Sequence, residues 1–254
     1  MFKMLKYEWR KNILSPLIVL GVFAALEVYF LIGCYVLDSL GHVSAATSFL
    51  VLAATFSYIF VLLYGIISYS SDLKNKSGYL VFMAPISSFK ILGSKLLSTL
   101  ITGVLLLAVI CGLAYLDFHI ANDVFGLDMY ISFGDQFLST FGSSVSDIII
   151  GICIFIITFL LEFYMIVTVG YLAVSLSSTA LQNKKYKGFV SLLLFIVIIV
   201  AVFIIAYHLP MIKVSGNSFG SEFLRSLPQY ILLAAVTVCS FIGSSLLLEK
   251  KISL

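Results

Sequence analysis

Two carboxylates stand where charge is hardest to keep. Glu27 lies within PLIVLGVFAALEVYFLIGCYVL and Glu162 within IIGICIFIITFLLEFYMIVTVG, runs otherwise almost wholly apolar. At 1.5 Å per helical residue, Glu27 falls about 16 Å past Pro16, near the middle of a membrane-spanning helix. Glu162 falls about 22 Å past Asp147, which predicts a position in the inner half of its span. Ionisable groups at such depth are costly and usually face a cavity or a partner. Two chemistries fit: attraction of a cationic substrate along a path, or carriage of a proton. The structural alternative is a protonated carboxyl, or one hydrogen-bonded to Tyr29, Thr158 or Tyr164.

Other chemistries lack their residues. No GxxxxGK[ST] occurs, and no glycine is followed by lysine, so no loop of that type cradles ATP phosphates. HExxH and GxSxG are also missing. His42, His119 and His208 sit singly near the outer ends of apolar runs. Cys34, Cys111, Cys153 and Cys239 occupy four separate runs without a CxxC pair, which predicts small buried hydrophobes. We expect no catalytic residue, metal or bound cofactor on this chain, and no nucleic-acid partner. Asn75-Lys76-Ser77 matches a glycosylation sequon but falls on the side read below as cytoplasmic.

The elements that must position the two carboxylates follow from composition. Hydrophobic residues make up 61% of the 254 residues and charged residues 11%, against about 45–50% and 25% in a soluble domain. The solvent for most of the chain is lipid. An all-α membrane protein is expected, with six spans near 16–37, 44–69, 96–116, 148–174, 189–207 and 228–248, each close to the 20 residues that cross a bilayer. Ser15-Pro16 and Leu227-Pro228 read as helix starts. The first run is too long for a signal-peptide core and contains Glu27, so it reads as a retained span.

Basic residues orient the spans. Lys3, Lys6, Arg10 and Lys11 precede the first span; Lys74, Lys76, Lys90 and Lys95 flank the second connection. Lys184, Lys185 and Lys187 follow the fourth span, and Lys250 and Lys251 close the chain. Only Lys213 and Arg225 fall opposite. Both termini are therefore expected inside the cell. The loop 117–147, with Asp117, Asp123, Asp128, Asp135 and Asp147, is expected outside. Residues 1–15 form an amphipathic stripe of Phe2, Leu5, Trp9 and Ile13, an interfacial elbow helix with Trp9 and Arg10 as anchors at headgroup level.

One connection breaks the pattern. In SDLKNKSGYLVFMAPISSFKILGSKLL, residues 70–96, the apolar stretch 79–84 sits among charges. Gly78 permits a turn, Pro85 ends a short helix, and Ser87 or Ser88 caps the next. An apolar patch rimmed by charge marks a partner surface, or else a short helix resting on lipid.

The order Asp72, Ser77-Gly78, the apolar residues Tyr79 to Ala84, Pro85, Ser87-Ser88 and the lysine-bearing start of span three resembles the first cytoplasmic loop of ABC-2-type permeases. Those proteins are the membrane subunits of bacterial ABC exporters. The elbow, the six spans with both ends inside, and the closing Leu-Leu-Glu-Lys-Lys extend the resemblance over 1–254 as a single transmembrane domain. It implies that 79–84 is a coupling helix docking into a separate cytoplasmic ATPase. Tyr79, Leu80, Phe82 and Met83 would form the knob, Gly78 and Pro85 would delimit it, and Asp72, Lys74 and Lys76 would face polar groups at its rim. ATP and Mg would be bound by two partner ATPase subunits, beside a second permease copy or paralogue, in the bacterial plasma membrane. Small permeases of this kind resemble exporters of amphipathic peptides such as phenol-soluble-modulin toxins and bacteriocins, and exporters conferring resistance to peptide antibiotics. A cationic amphipathic peptide is the expected substrate, with lipid-like molecules, small drugs and sodium open beside it. An ion-coupled secondary transporter using the intramembrane Glu residues, or a non-transporting sensor or scaffold, stands as the alternative.

Overall fold

A computed structural model describes residues 2–74, 87–126, 145–180, 186–213 and 219–252. Among these the chain is helical, without strands. The helices are α1 (Phe2–Asn12), α2 (Leu14–Tyr35), α3 (Leu40–Lys74), α4 (Ser88–Phe125), α5 (Val145–Ala180), α6 (Lys187–His208), α7 (Phe219–Arg225) and α8 (Leu227–Ile252). Six of them, α2 to α6 and α8, are long and apolar enough to cross a membrane. They also turn large apolar side chains outward, among them Ile18, Phe56, Val104, Phe155, Ile204 and Ile231. Water would penalise such surfaces, and lipid does not.

All six expected spans are present, but their ends differ. Three helices are far longer than a bilayer requires: α3 has 35 residues, α4 has 38 and α5 has 36. The stretch 117–125, expected to open a loop, is the last part of α4. It contains no glycine or proline until Gly126. There a left-handed φ of 58° and a bond from the Gly126 N–H to the Asn122 carbonyl at 2.9 Å end the helix.

The start of α2 also departs from expectation. Ser15 is not its cap, because Ile13 keeps helical dihedrals (φ −64°, ψ −25°) and makes no side-chain cap bond. The chain passes from α1 to α2 almost without a break. Pro16 lies in the first turn, where a missing N–H forfeits nothing. At the last span, Pro228 occupies the first turn as expected, and the N–H groups of Gln229 and Tyr230 bond the Ser226 carbonyl.

Contacts divide the chain into two units: Met1–Tyr64 with Leu97–Gly134, and Gly65–Leu96 with Asp135–Leu254. In the first, Phe30 and Cys34 of α2 pack with Val43 and Ala46 of α3 and Ala121 of α4. Gly103 allows close approach of α4 to Val61 of α3, since an added Cβ would lie 3.2 Å from its methyl. The Tyr64 hydroxyl donates to the Asn12 carbonyl at 3.0 Å, tying α1 to α3.

The second unit groups the ends of α3 and α4 nearest their connection with α5 to α8. Met165 and Val169 of α5, Val202 of α6 and Leu233 and Val236 of α8 form an apolar core. Gly170 makes room for Ile66: a Cβ there would fall 2.4 Å from its Cδ1, so the Ile66 side chain would have to shift. A small residue at this point lets α3 and α5 approach closely. Of the cysteines, Cys34 is buried, while Cys111, Cys153 and Cys239 are exposed on apolar helix faces. That corrects the expectation of four buried thiols; a cysteine is as acceptable to lipid as to a core.

Candidate functional site

Two regions carry chemistry in the second unit. The first lies at the base of the α3–α4 hairpin. The Lys95 ammonium donates to Asp72 Oδ2, and the two side chains are only 3% and 1% exposed. One turn before Asp72, the Tyr69 hydroxyl hydrogen-bonds the Ser175 hydroxyl at 2.6 Å, and its ring lies 4.6 Å from that of Tyr171. Phe89, next to the start of α4, meets Phe241 of α8 edge-on at 6.0 Å. Ser177 and Ser178 of α5 and Ser244 and Ser245 of α8 are buried in the same unit and return their hydroxyls to helical carbonyls. Small hydroxylated residues of this kind let helices pack closely where there is no hydrophobic drive between them.

The geometry revises one expected role. Asp72 was placed on the rim of the coupling knob beside Lys74 and Lys76. It is instead buried against Lys95, because an isolated carboxylate in this packed site would carry a large desolvation cost. Lys74 is the last residue of α3. Lys76, Gly78, Tyr79, Leu80, Phe82, Met83 and Pro85 lie outside the described residues.

The second region surrounds Glu162. A cavity of about 650 Å³ opens between α5, α6 and α8, bordered by Thr158 and Glu162 of α5, Phe203 and His208 of α6 and Gln229 and Tyr230 of α8. Thr158 donates to the Ile154 carbonyl at 2.9 Å and stands 3.3 Å from the Tyr230 hydroxyl. Gln229 Nε2 donates to the Ala206 carbonyl at 3.3 Å. The Tyr230 ring stacks on Phe223 of α7 with centroids 5.0 Å apart.

The neighbours of Glu162 correct its expected depth. His208 is the last residue of α6 and Gln229 the third of α8, so Glu162 lies level with the end of α6 opposite Lys187. The inner-half position assumed that the span begins beside Asp147. In fact α5 is 36 residues long, and its first turns project past the neighbouring helix ends.

In the first unit, the carboxyl of Asp117 meets that of Glu27 across α2 and α4. Glu27 Oε1 and, farther along α4, Asn122 Oδ1 are enclosed without a hydrogen-bond partner among the described residues. Glu27 thus faces another acid, not Tyr29. On α1, Trp9 is 44% exposed and Arg10 is exposed, whereas Glu8 is buried. Sequence reasoning missed three features: the Asp72–Lys95 pair, the Tyr69–Tyr171–Ser175 contact, and the inward side of α1. A pair of opposite charges flanking one short connection was the available signal for the first.

Comparisons of the chain with protein families, with curated proteins and with solved structures give no match. Fold and surface define a class nonetheless: a multi-pass, all-helical membrane protein with six candidate spans.

Proposed function

We propose that this protein is the membrane subunit of an ATP-driven exporter of the ABC-2 type, moving an amphipathic or cationic peptide out of the cell. Both termini are inside, α1 is the interfacial elbow, and residues 79–84 form the contact with two cytoplasmic ATPase subunits. ATP and Mg belong to those partners. A second permease copy or a related chain completes the pathway, which opens alternately to each side in the plasma membrane.

The supporting observation is the anchoring at the hairpin base. The connection that resembles a coupling loop is flanked by the buried pair, with Asp72 in the last turn of α3 and Lys95 two turns into α4. Tyr69, with its hydroxyl on Ser175 and its ring on Tyr171, joins that base to α5. A displacement that reaches the end of α3 or the start of α4 would therefore be passed to packed helices. The test is affinity purification of the chain from its native membrane in mild detergent. A co-purifying protein with GxxxxGK[ST] is expected, and Leu80→Asp or Phe82→Asp should abolish its recovery. Recovery undiminished in both variants would overturn the reading.

The Glu27–Asp117 contact favours a second reading, an ion-coupled transporter. Two facing carboxylates repel when both are charged, and a proton or small cation between them relieves this. Transport would then follow an ion gradient and persist without any ATPase.

A further inference from the structure

We propose that the cavity beside Glu162 binds a single-chain amphiphile with a primary ammonium head. The proposal concerns what this site holds, and it stands or falls on binding to the purified chain alone, apart from any ATPase.

Its volume, about 650 Å³, lies inside the range of roughly 300–1,000 Å³ typical of pockets that take small organic ligands. The polar groups are gathered at one end. Glu162 sits with His208 and Gln229 at the end of α6, while Val200 lies two turns deeper, about 12 Å away at helical rise. Leu233 and Ile204 complete the apolar part. A ligand that fills this space therefore needs a polar head at the rim and an apolar chain along α6.

The sign of the head follows from the side chains. Among the described residues, Glu162 is the only Asp, Glu, Lys or Arg bordering the cavity. Of the other polar groups, Thr158 is engaged with Ile154 and Tyr230 and Gln229 with Ala206, while the His208 ring packs edge-on against Tyr207. No hydrogen bond or ion pair to Glu162 occurs among the described residues. A carboxylate is an acceptor only, so it selects a cationic donor and repels an anionic head. Its location matches the headgroup level. With 22 residues α6 is about 33 Å long, close to the hydrocarbon thickness of about 30 Å, so its last residue reaches the boundary where an ammonium head remains hydrated.

The test uses a dodecylamine derivative with a diazirine at the chain end, applied to the full-length protein in phosphatidylcholine nanodiscs. Cross-linked peptides are mapped by mass spectrometry. Labelling of the segments 200–207 and 230–233 is expected, competed by unlabelled dodecylamine but not by dodecanol or dodecyl sulfate. In Glu162→Gln the competition constant should weaken about tenfold, as for loss of a charge-assisted bond, while Glu162→Asp retains most of the affinity. Thermal unfolding of each variant without ligand verifies that it is folded. If Glu162→Gln proves unfolded, Leu233→Trp replaces it and should block labelling by filling the apolar end. Equal competition by dodecanol, labelling unaffected by Glu162→Gln or Leu233→Trp, or displacement by phosphatidylethanolamine doped into the disc would each overturn the proposal.

Discussion

Asp72 and Lys95, 23 residues apart in sequence, close the base of the α3–α4 hairpin as a buried ion pair. Removing one partner takes a buried opposite charge from the other, at a cost of about 3–5 kcal/mol. Asp72→Asn and Lys95→Met should each lower unfolding stability by roughly that much. The double variant Asp72→Leu/Lys95→Met should recover most of the loss, because apolar replacement of both partners is often near neutral. Denaturant titration in mixed micelles reads all three. Equal stability of the singles and the wild type would show the pair to be dispensable.

Tyr69 separates two contributions. Tyr69→Phe removes only the bond to Ser175 and should destabilise by about 1 kcal/mol. Tyr69→Ala also removes a ring that is fully buried against Tyr171, and about 3–5 kcal/mol is expected. The same titration distinguishes them. A Phe variant as damaged as the Ala variant would mean that the hydroxyl, not the ring, holds the base.

Gly170 offers a test of the helix contact itself. Gly170→Ala places a methyl where Ile66 now lies, and about 1–3 kcal/mol of strain is expected. Ile66→Ala alone should also destabilise, by opening a cavity. Combined, the two should be less harmful than their sum, since the new methyl partly fills the space. Thermal melts of the four proteins complete the double-mutant cycle; strict additivity would contradict the contact.

Membrane orientation can be read chemically. In a variant lacking Cys34, Cys111, Cys153 and Cys239, a cysteine at Lys213 should react with an impermeant maleimide on intact cells. One at Lys76 should react only after permeabilisation. The reverse pattern would invert the topology and remove the basis for a cytoplasmic partner.

The sequence disclosed the spans because lipid leaves a coarse signal, twenty apolar residues in a row. It could not disclose where the helices stop. Hydropathy falls at the membrane boundary, but hydrogen bonding does not, so α4 continues through Asp117 to Phe125. Glu162 was misplaced for the same reason: its depth was counted from a boundary that α5 ignores. Asp72 read as a surface charge because its partner lies across a connection of unknown path, and only packing brings Lys95 to it. On α1, the buried Glu8 belongs to no apolar pattern and so left no signal in the sequence.

The unequal helix lengths have a consequence for where the protein can reside. Rods of 35 to 38 residues can tilt or slide and still keep apolar surface in a thick or a thin bilayer. At 22 residues each, α2 and α6 have no such reserve. Mismatch between acyl-chain length and protein thus falls first on these two helices, making them the gauge by which the fold registers bilayer thickness.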